Sequence, residues 1–428
     1  MKIKQYLPKF HLFPPEGWMN DPNGLCQLNG IHHIFFQYSP DNPRGANKYW
    51  GHYQTKDFIN YEFTGCLLAP DTKEDRDGVF SGCAYIEDDE MYIYYTGNVE
   101  YDGDYDYVLN GREGNTILVT SKDGISSSEK MCLLKNDDYP DTLSLHVRDP
   151  KVFCENGLYY MVLGARTKDD KGCVLLYSST DKANWDFKHF IYKADFGFMW
   201  ECPDLFSLEG RQFLSLSPQG LMREEYRFQN IFHSGYFKTK GNLLYAGDAL
   251  GEFTEWDYGF DFYAPQTYMD EQGRRILIGW MGVSGQEYDH DPTIEEGWQH
   301  MLTVPRELTV NSSGDILQNP IMELESLRER IIYVSELNDN SLTDSKTFEM
   351  SECYELIIEN RMHDSFTIEF CEGLLFEYDS RKELCKLEFK NEALGFGRDV
   401  RKIKLADDEQ IATNLDPKSA PITVPNAV

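Results

Sequence analysis

Asp21-Pro22-Asn23-Gly24-Leu25, followed by the polar turn Asn29-Gly30 and then Ile34-Phe35-Phe36, has the pattern of two strands joined by a tight turn. Pro and Gly in the first segment favour a turn, while the aromatic and β-branched residues of the last segment favour a strand. Four later segments have the same layout. The feature that decides the fold is therefore a repeat, which is best sought before any single motif.

The four later copies each combine a turn, a short strand, a polar turn and an apolar strand. They are Phe80–Tyr85 with Met91–Tyr95, Asp149–Phe153 with Gly157–Val162, Glu201–Phe206 with Phe213–Leu216, and Ala264–Tyr268 with Ile276–Ile278. The equivalent residues lie 60, 68, 53 and 62 positions apart, and they are Pro22, Gly82, Pro150, Pro203 and Pro265. This interval fits a four-stranded propeller blade with one extended loop. We predict an all-β chain with a five-bladed β-propeller, and a large β-sandwich is the alternative.

The pattern changes after the fifth repeat, so we predict a propeller over residues 1–318, a linker helix over 319–332 and a C-terminal module over 333–428. Strand-like runs that alternate apolar and charged residues follow, as in a sheet with one wet face. They are Tyr354–Glu359, Ser365–Phe370, Leu374–Tyr378 and Leu384–Phe389. Strand signals fade after Leu405, so the module resembles a β-sandwich that is several strands short. An open sheet edge invites pairing, and a homo-oligomer formed through this module is expected.

The composition excludes several classes of function. The formal net charge is −31, from 41 basic and 72 acidic residues, which argues against binding to nucleic acid or to an anionic membrane. No apolar run reaches the roughly 18 residues of a membrane span. The segment Met1–Pro8 lacks the apolar core of a signal peptide. Ten scattered cysteines form no CxxC pair, so we expect a reducing cytoplasm and no structural zinc.

Three acids stand at or beside equivalent positions of the repeats, namely Asp21, Asp149 and Glu201. A propeller gathers such positions near one axis, although they are far apart in sequence. Two close carboxylates are the equipment for cleaving a glycosidic bond, because one protonates the leaving oxygen while the other attacks or stabilises the cation. Taken singly, each acid is more simply a turn residue, an ion-pair partner or a solvated strand end.

The neighbours of the three acids suggest separate roles. Trp200 and Cys202 flank Glu201 and predict an apolar wall, which would disfavour the charged carboxylate as a general acid requires. An amide beside Asp21 could keep that carboxylate ionised, as a nucleophile requires. Arg148 is expected to pair with Asp149 and to hold it ionised and oriented.

Trp18–Gly24, Arg148–Pro150 and Glu201–Asp204 resemble the three signature motifs of the invertase and fructosidase family, glycoside hydrolase family 32. Further matches occur in family order over roughly residues 8 to 330: Phe36–Tyr38, Trp50–His52, Phe80–Gly82, Phe262–Gln266, and Gly297-Trp298 leading to Pro305-Arg306. Within the family, the chain looks most similar to the cytoplasmic bacterial branch that acts on sucrose 6-phosphate.

The resemblance implies retaining hydrolysis of β-D-fructofuranosides through a fructosyl-enzyme. Asp21 matches the nucleophile, Glu201 the acid/base and Asp149 the transition-state stabiliser. Six residues match the fructose pocket: Asn20, Gln37, Trp50, Phe80, Ser81 and Arg148. A retaining pair of carboxyls should lie about 5–5.5 Å apart. A small sugar is the expected partner, with no metal and no cofactor.

The leaving group is less constrained by the sequence. Sucrose 6-phosphate and sucrose are the leading substrates, while a fructan hydrolase, a fructosyltransferase, an inactive sugar-binding propeller and an inverting arabinan-cleaving propeller are the alternatives. The loop 42–49 on the leaving-group side is shorter than in many relatives. A phosphate would need local basic residues in so acidic a chain. Candidates on the rim are Arg166, Lys168, Arg223 and Arg227.

Overall fold

The computed structural model describes residues 6–286, 290–329, 365–370, 373–391 and 395–405, and these residues are almost entirely in strands and turns. Three short segments in this part of the chain are helices, namely Asn136–Asp138, Asp291–Glu295 and Met322–Leu327. None of the described helices is long and apolar enough to cross a membrane.

Five sheets follow one another along the chain. The first contains β1 (Gly17–Leu28), β2 (Ile31–Ser39), β3 (Tyr49–Thr55) and β4 (Tyr61–Leu68). The second contains β5 (Val79–Glu87), β6 (Glu90–Glu100), β7 (Arg112–Ser121) and β8 (Met131–Leu134). The third contains β9 (Leu143–Glu155), β10 (Leu158–Thr167), β11 (Gly172–Ser179) and β12 (Asp186–Ile191).

The fourth sheet contains β13 (Met199–Leu208), β14 (Arg211–Gln219), β15 (Gly235–Thr239) and β16 (Leu250–Glu255). The fifth contains β17 (Tyr263–Met269), β18 (Arg275–Met281), β21 (Arg306–Val310) and β22 (Ile316–Pro320). Two short strands lie between β18 and β21. They are β19 (Trp298–Gln299), which joins the first sheet, and β20 (Met301–Leu302), which pairs with β18.

The first strand of each sheet is the repeat start that the sequence predicts. Strands β1, β5, β9, β13 and β17 contact one another in succession, and β17 contacts β1 to complete the circle. The circle is closed by backbone pairing, because Gly17 and Trp18 of β1 run parallel to β19 and the Gly17 N–H donates to the Gly297 carbonyl at 2.8 Å. The predicted five-bladed β-propeller is therefore confirmed.

Apolar side chains fill the spaces between blades. Between the third and fourth blades, Trp200 is fully buried among Val162, Val174 and Leu214, and burying each large side chain contributes roughly 1.5–3 kcal/mol. A Cβ on Gly164 would lie 2.2 Å from the Trp200 carbonyl oxygen. This position needs glycine because two blades approach each other there.

The C-terminal module is described as one antiparallel sheet of β23 (Phe366–Phe370), β24 (Leu374–Asp379), β25 (Leu384–Phe389) and β26 (Val400–Lys404). Three of its strands match predicted runs. The last strand was not predicted, because it has only two apolar residues in five. The predicted strand Tyr354–Glu359 and the tail 406–428 lie outside the described residues.

The module packs against the propeller through polar and aromatic contacts. Arg398 Nε donates to Asp261 at 2.8 Å, and Arg401 donates to Asn230 Oδ1 at 2.7 Å. The rings of Phe260 and Phe389 lie 5.5 Å apart. In the predicted linker, β22 continues two residues past position 318, and the segment Met322–Leu327 is a 3₁₀ helix. The domain boundaries and the homo-oligomer remain predictions.

A buried ion pair on the axis ties three blades together. Lys151 Nζ of β9 lies 3.2 Å from Asp204 Oδ2 of β13, and it donates to the Thr267 carbonyl of β17 at 2.6 Å. Asp204 Oδ2 also accepts the Thr267 N–H at 2.7 Å and its hydroxyl at 2.8 Å. Although Asp204 lies in a segment that resembles a family motif, its contacts are therefore those of a structural residue.

Asp204→Asn is expected to lower the free energy of unfolding by about 3 kcal/mol, because it leaves the buried Lys151 ammonium without its counter-ion. Urea unfolding followed by tryptophan fluorescence measures this. Asp169→Asn is the matched control, because Asp169 and its partner Lys171 are both on the surface. That variant should keep the wild-type unfolding midpoint. Equal midpoints for the two variants would contradict the structural role of Asp204.

Candidate active site

The predicted site residues are brought together by bulges at the starts of the inner strands. The pairing of β1 with β2 is irregular between Met19 and Pro22, which frees Asp21 from the ladder. The backbone of Asp149 on β9 and that of Cys202 on β13 are left-handed, with φ of 62° and 48°. Such conformations cost roughly 1–3 kcal/mol in non-glycine residues. Bulges re-aim side chains, and here they turn the acids toward the axis.

Asp21 is held by neutral donors. Ser81 Oγ donates to Asp21 Oδ2 at 2.6 Å, and Asn20 Nδ2 approaches Asp21 Oδ1 at 3.1 Å. Behind them, Asn20 Nδ2 donates to Gln37 Oε1 and Gln37 Nε2 donates to Ser81 Oγ, both at 2.7 Å. Trp18 Nε1 donates to Asn20 Oδ1 at 2.8 Å. The network contains three of the predicted pocket residues and orients both oxygens of Asp21.

Asp149 is buried and is linked to Asp21 through Cys202. The Cys202 N–H donates to Asp149 Oδ2 at 2.9 Å. The Cys202 sulfur lies 3.6 Å from that oxygen and 3.9 Å from Asp21 Oδ2. One thiol therefore touches both carboxyls, which brings together residues that lie 128 positions apart in sequence.

Glu201 has polar partners on both of its oxygens. Arg148 Nε and Nη2 donate to Glu201 Oε1 at 3.0 and 2.7 Å. Gln219 Nε2 and the Tyr263 hydroxyl donate to Oε2, each at 2.6 Å. Both oxygens of this carboxylate thus accept two hydrogen bonds.

These contacts correct two expectations. The apolar wall predicted around Glu201 is wrong, because neighbouring residues of a strand point to opposite faces and Trp200 is buried between blades. The prediction that Arg148 forms an ion pair with Asp149 is also wrong. The Arg148 side chain crosses to the adjacent blade and binds Glu201, although its charge still acts on Asp149.

Burial determines the titration of both aspartates. It raises the pKa of Asp21, and the nearby Glu201 charge raises it further, while the Ser81 and Asn20 hydrogen bonds oppose the shift. Burial likewise raises the pKa of Asp149 against the lowering effect of Arg148. Desolvation therefore outweighs the hydrogen bond from the Asn20 amide, which is expected from the sequence to keep Asp21 ionised.

The remaining predicted pocket residues are Trp50 and Phe80. Trp50 is fully buried between the first two blades, where its Nε1 donates to the Phe80 carbonyl at 3.0 Å. It positions the backbone next to Ser81, while the half-buried Phe80 ring lies near the site. The site roles of all nine predicted residues remain predictions.

Sequence reasoning missed three residues with direct contacts. Tyr263 lies inside a segment that resembles the family, but the sequence indicates no role for it, and nothing in the sequence around Gln219 marks that residue. Lys48, in the short loop, places its Nζ 4.8 Å from the centre of the Trp18 ring. Burial lowers the pKa of Lys48 to about 8, and the Asp21 charge opposes this shift. Across the described ranges, no group of His, Cys, Asp and Glu side chains is arranged to hold a metal ion.

Comparisons with known proteins agree with this geometry. The profile of the Glycosyl hydrolases family 32 N-terminal domain matches residues 11–320. A sucrose-6-phosphate hydrolase of Bacillus subtilis (strain 168) is 39% identical over 97% of this chain and 86% of its own length. A raffinose invertase of Escherichia coli is 37% identical over 88% of this chain and 78% of its own.

Among solved structures, a β-fructofuranosidase of Bombyx mori in complex with sucrose has a TM-score of 0.74 and 29% identity, covering 94% of this chain and 82% of its own. A sucrose-6-phosphate hydrolase of Lactobacillus gasseri has a TM-score of 0.77 and 24% identity over the same shares, and it supports the fold. The propeller, the acids on its axis and these matches lead to one conclusion: the chain is a glycoside hydrolase that belongs to family 32.

Proposed function

We propose that the protein is a retaining β-fructofuranosidase in which Asp21 is the nucleophile, Glu201 the acid/base and Asp149 the transition-state stabiliser. The observation that carries this proposal is the contrast between the partners of Asp21 and Glu201. Asp21 accepts hydrogen bonds from the neutral Ser81 and Asn20, which leave its charge available for attack. Glu201 is bound by Arg148 and by the Tyr263 hydroxyl, which can donate to the carboxylate or accept from the protonated carboxyl.

In the first step, an Asp21 oxygen attacks the anomeric carbon of fructose and the bond to the leaving oxygen breaks. Glu201 delivers its proton to that oxygen. The Tyr263 hydroxyl, 2.6 Å from Glu201 Oε2, donates to the carboxylate and can rotate to accept from the carboxyl. In the second step, Glu201 takes a proton from water, the water oxygen bonds to the anomeric carbon, and Asp21 departs.

Asp149 is suited to bind the sugar in the transition state. Its Oδ2 accepts a hydrogen bond from the Cys202 N–H, while its Oδ1 accepts none from the described residues. That oxygen is available to accept hydrogen bonds from hydroxyl groups of fructose. Hydrogen bonds to a carboxylate strengthen as positive charge develops on the ring, so this contact lowers the barrier rather than only improving binding.

We propose sucrose 6-phosphate as the preferred substrate and sucrose as the second. The relative at 39% identity is named for the phosphorylated sugar, while the raffinose invertase and the sucrose-bound moth enzyme favour the neutral one. A sugar phosphate does not cross a bilayer unaided, so we place the enzyme in the cytoplasm. The expected products are fructose and glucose 6-phosphate, or glucose when the substrate is sucrose.

Two measurements test this function. The ratio of kcat/KM for sucrose 6-phosphate, sucrose and inulin should rank them in that order, and faster release of fructose from inulin would favour a fructan hydrolase instead. NMR of the first-formed fructose should show the β-anomer. An α-anomer as first product would contradict the retaining mechanism and the nucleophilic role of Asp21.

The acid limb of kcat/KM is expected at a higher pH than the usual titration of an aspartate. Asp21 attacks only when it is ionised, and burial raises its pKa, so activity is lost as the pH falls through that raised value. Ser81→Ala removes a hydrogen bond that favours the ionised form and should move the limb to higher pH. Ser215→Ala, which removes a buried hydroxyl bonded to Trp256, is the control and should leave the limb in place. A Ser81→Ala limb that coincides with the wild-type limb would contradict this origin.

A further inference from the structure

Three arginines gather around one histidine beside the acid/base. We define the arginine cluster as Arg112, Arg148 and Arg166 about His146. Arg148 connects the cluster to the reaction, because its Nη1 lies 2.6 Å from His146 Nδ1 while its Nε and Nη2 donate to Glu201. His146 is therefore only one guanidinium group away from Glu201. Since an arginine can only donate, His146 Nδ1 is the acceptor and the ring is neutral.

The backbone explains why the other two arginines converge on this point. Strand β10 pairs with β9 on both sides of Arg166, and the residues of β9 opposite Arg166, 144–146, form an irregular segment that contains His146. Ser144 Oγ holds this segment by donating to the Arg166 carbonyl at 2.9 Å. Arg112 approaches from β7, where Gly114 packs directly against the backbone of β9.

The buried charges of the cluster act on one another. Burial together with Arg148, Arg112 and Arg166 lowers the pKa of His146 to about 3. Burial and Arg148 lower the pKa of Arg112 to about 10, against the opposing effect of Glu100. The guanidinium groups thus repel one another, although each has one carboxylate partner, Glu201, Glu100 or Asp170. A bound anion would relieve this repulsion.

The two outer arginines are held by carboxylates that a ligand could displace. Arg112 Nη2 pairs with Glu100 at 3.1 Å, and Arg166 Nη2 pairs with Asp170 at 2.7 Å. The arginine side chains are only 14% and 21% exposed, whereas Glu100 and Asp170 are 46% and 63% exposed. Surface carboxylates of this kind contribute little when paired. Arg112 Nε donates to Asn98 Oδ1 at 2.8 Å, so a phosphate dianion would take the remaining donors of Arg112 and the Nε–Nη2 fork that Arg166 now gives to Asp170.

We propose that Arg112 and Arg166, grouped about His146 beyond the Arg148–Glu201 pair, bind a phosphate monoester carried on the leaving sugar. The proposal rests on the proposed function, in which Glu201 protonates the leaving oxygen and so marks the side on which the leaving sugar lies. The cluster then lies next to that sugar, where a 6-phosphate would project. Arg223 and Arg227, also candidates from sequence, lie near the C-terminal sheet instead.

The test compares two substrates on the same enzyme preparation. The ratio of kcat/KM for sucrose 6-phosphate to kcat/KM for sucrose is measured for wild type, Arg112→Gln, Arg166→Gln and the double variant. Each single change should lower this ratio at least about tenfold, and the double change should lower it further, because each removes charge-assisted hydrogen bonds to phosphate. A poorly folded variant loses both activities equally, so misfolding cancels in the ratio.

Arg223→Gln is the matched control, because it removes the same charge from an exposed residue. It should keep the wild-type ratio. An unchanged ratio in the double variant would overturn the proposal, as would an equal change in Arg223→Gln, which would indicate only a general effect of net charge.

Binding of products separates this proposal from the proposed function. By calorimetry, wild type should bind glucose 6-phosphate more tightly than glucose, and the double variant should lose that difference. Tight binding of inorganic phosphate alone would show a free-anion site and overturn the assignment to the leaving sugar. If wild type hydrolysed neither sugar yet preferred glucose 6-phosphate through these arginines, the fructosidase assignment would fail while the phosphate site stood.

Discussion

Replacing Asp21 with Asn is expected to lower kcat on sucrose 6-phosphate at least about 10³-fold, which corresponds to roughly 4 kcal/mol of barrier. The amide has the same size and can still bond to Ser81 and Asn20, but it cannot form the fructosyl-enzyme. Steady-state release of fructose measures the loss. A variant that retains near wild-type kcat would exclude Asp21 as the nucleophile.

The stability of this variant provides the control for folding. Because burial raises the pKa of Asp21, the folded state holds a proton more tightly than the unfolded chain does, and the ionised carboxylate costs stability as the pH rises. Removing that charge should leave the melting temperature at neutral pH unchanged or higher. Asp21→Ala with added azide offers a second readout. A small nucleophile entering the vacated space should give fructosyl azide of inverted configuration.

Glu201→Gln is expected to lower kcat on sucrose about 10³-fold, within the range for loss of general acid–base catalysis. The effect should depend on the leaving group, because an aryl or fluoride leaving group departs without protonation. With such a substrate the first step should proceed at a rate close to wild type, and fructosyl-enzyme should accumulate. A pre-steady-state burst measures this. A first-step rate that falls equally for both kinds of substrate would contradict the acid role.

A suitable control for Glu201→Gln is Glu255→Gln. Glu255 is also a buried carboxylate, and burial raises its pKa to about 7, but it bonds to the Phe228 N–H near the C-terminal sheet. Its variant should keep both activities. The Arg148 guanidinium loses its counter-ion only in Glu201→Gln, so the melting temperature of that variant should be measured alongside the rates.

The propeller could be predicted because turn residues and apolar strands recur at blade-sized intervals, and each repeat start became an inner strand. Local alternation also revealed three strands of the C-terminal module. It did not reveal Val400–Lys404, whose pairing with β25 rests on neighbours rather than on its own pattern. Strand β19 was equally hard to predict, because it has only two residues and its pairing depends on the edge of β1.

The site could be predicted only to the level of which strands meet. Proximity of Asp21, Asp149 and Glu201 follows from blade equivalence, but the partner of each side chain depends on bulges that the pattern does not reveal. Arg148 illustrates this, because it contacts Glu201 on the next blade instead of its neighbour in sequence. Gln219 and Tyr263 show the same limit, since each reaches Glu201 from a different strand.

The pairing of β1 with β19 has a consequence for synthesis on the ribosome. The strand that carries Asp21 emerges first, but the segment that closes the ring against it, around Trp298, is made some 280 residues later. At roughly 5–20 residues per second, that delay is about 15–55 s. Throughout this interval β1 of the nascent chain lacks its pairing with β19, and the ring of blades is not closed. Catalytic competence therefore arrives only at the end of translation of the propeller, however early its individual blades fold.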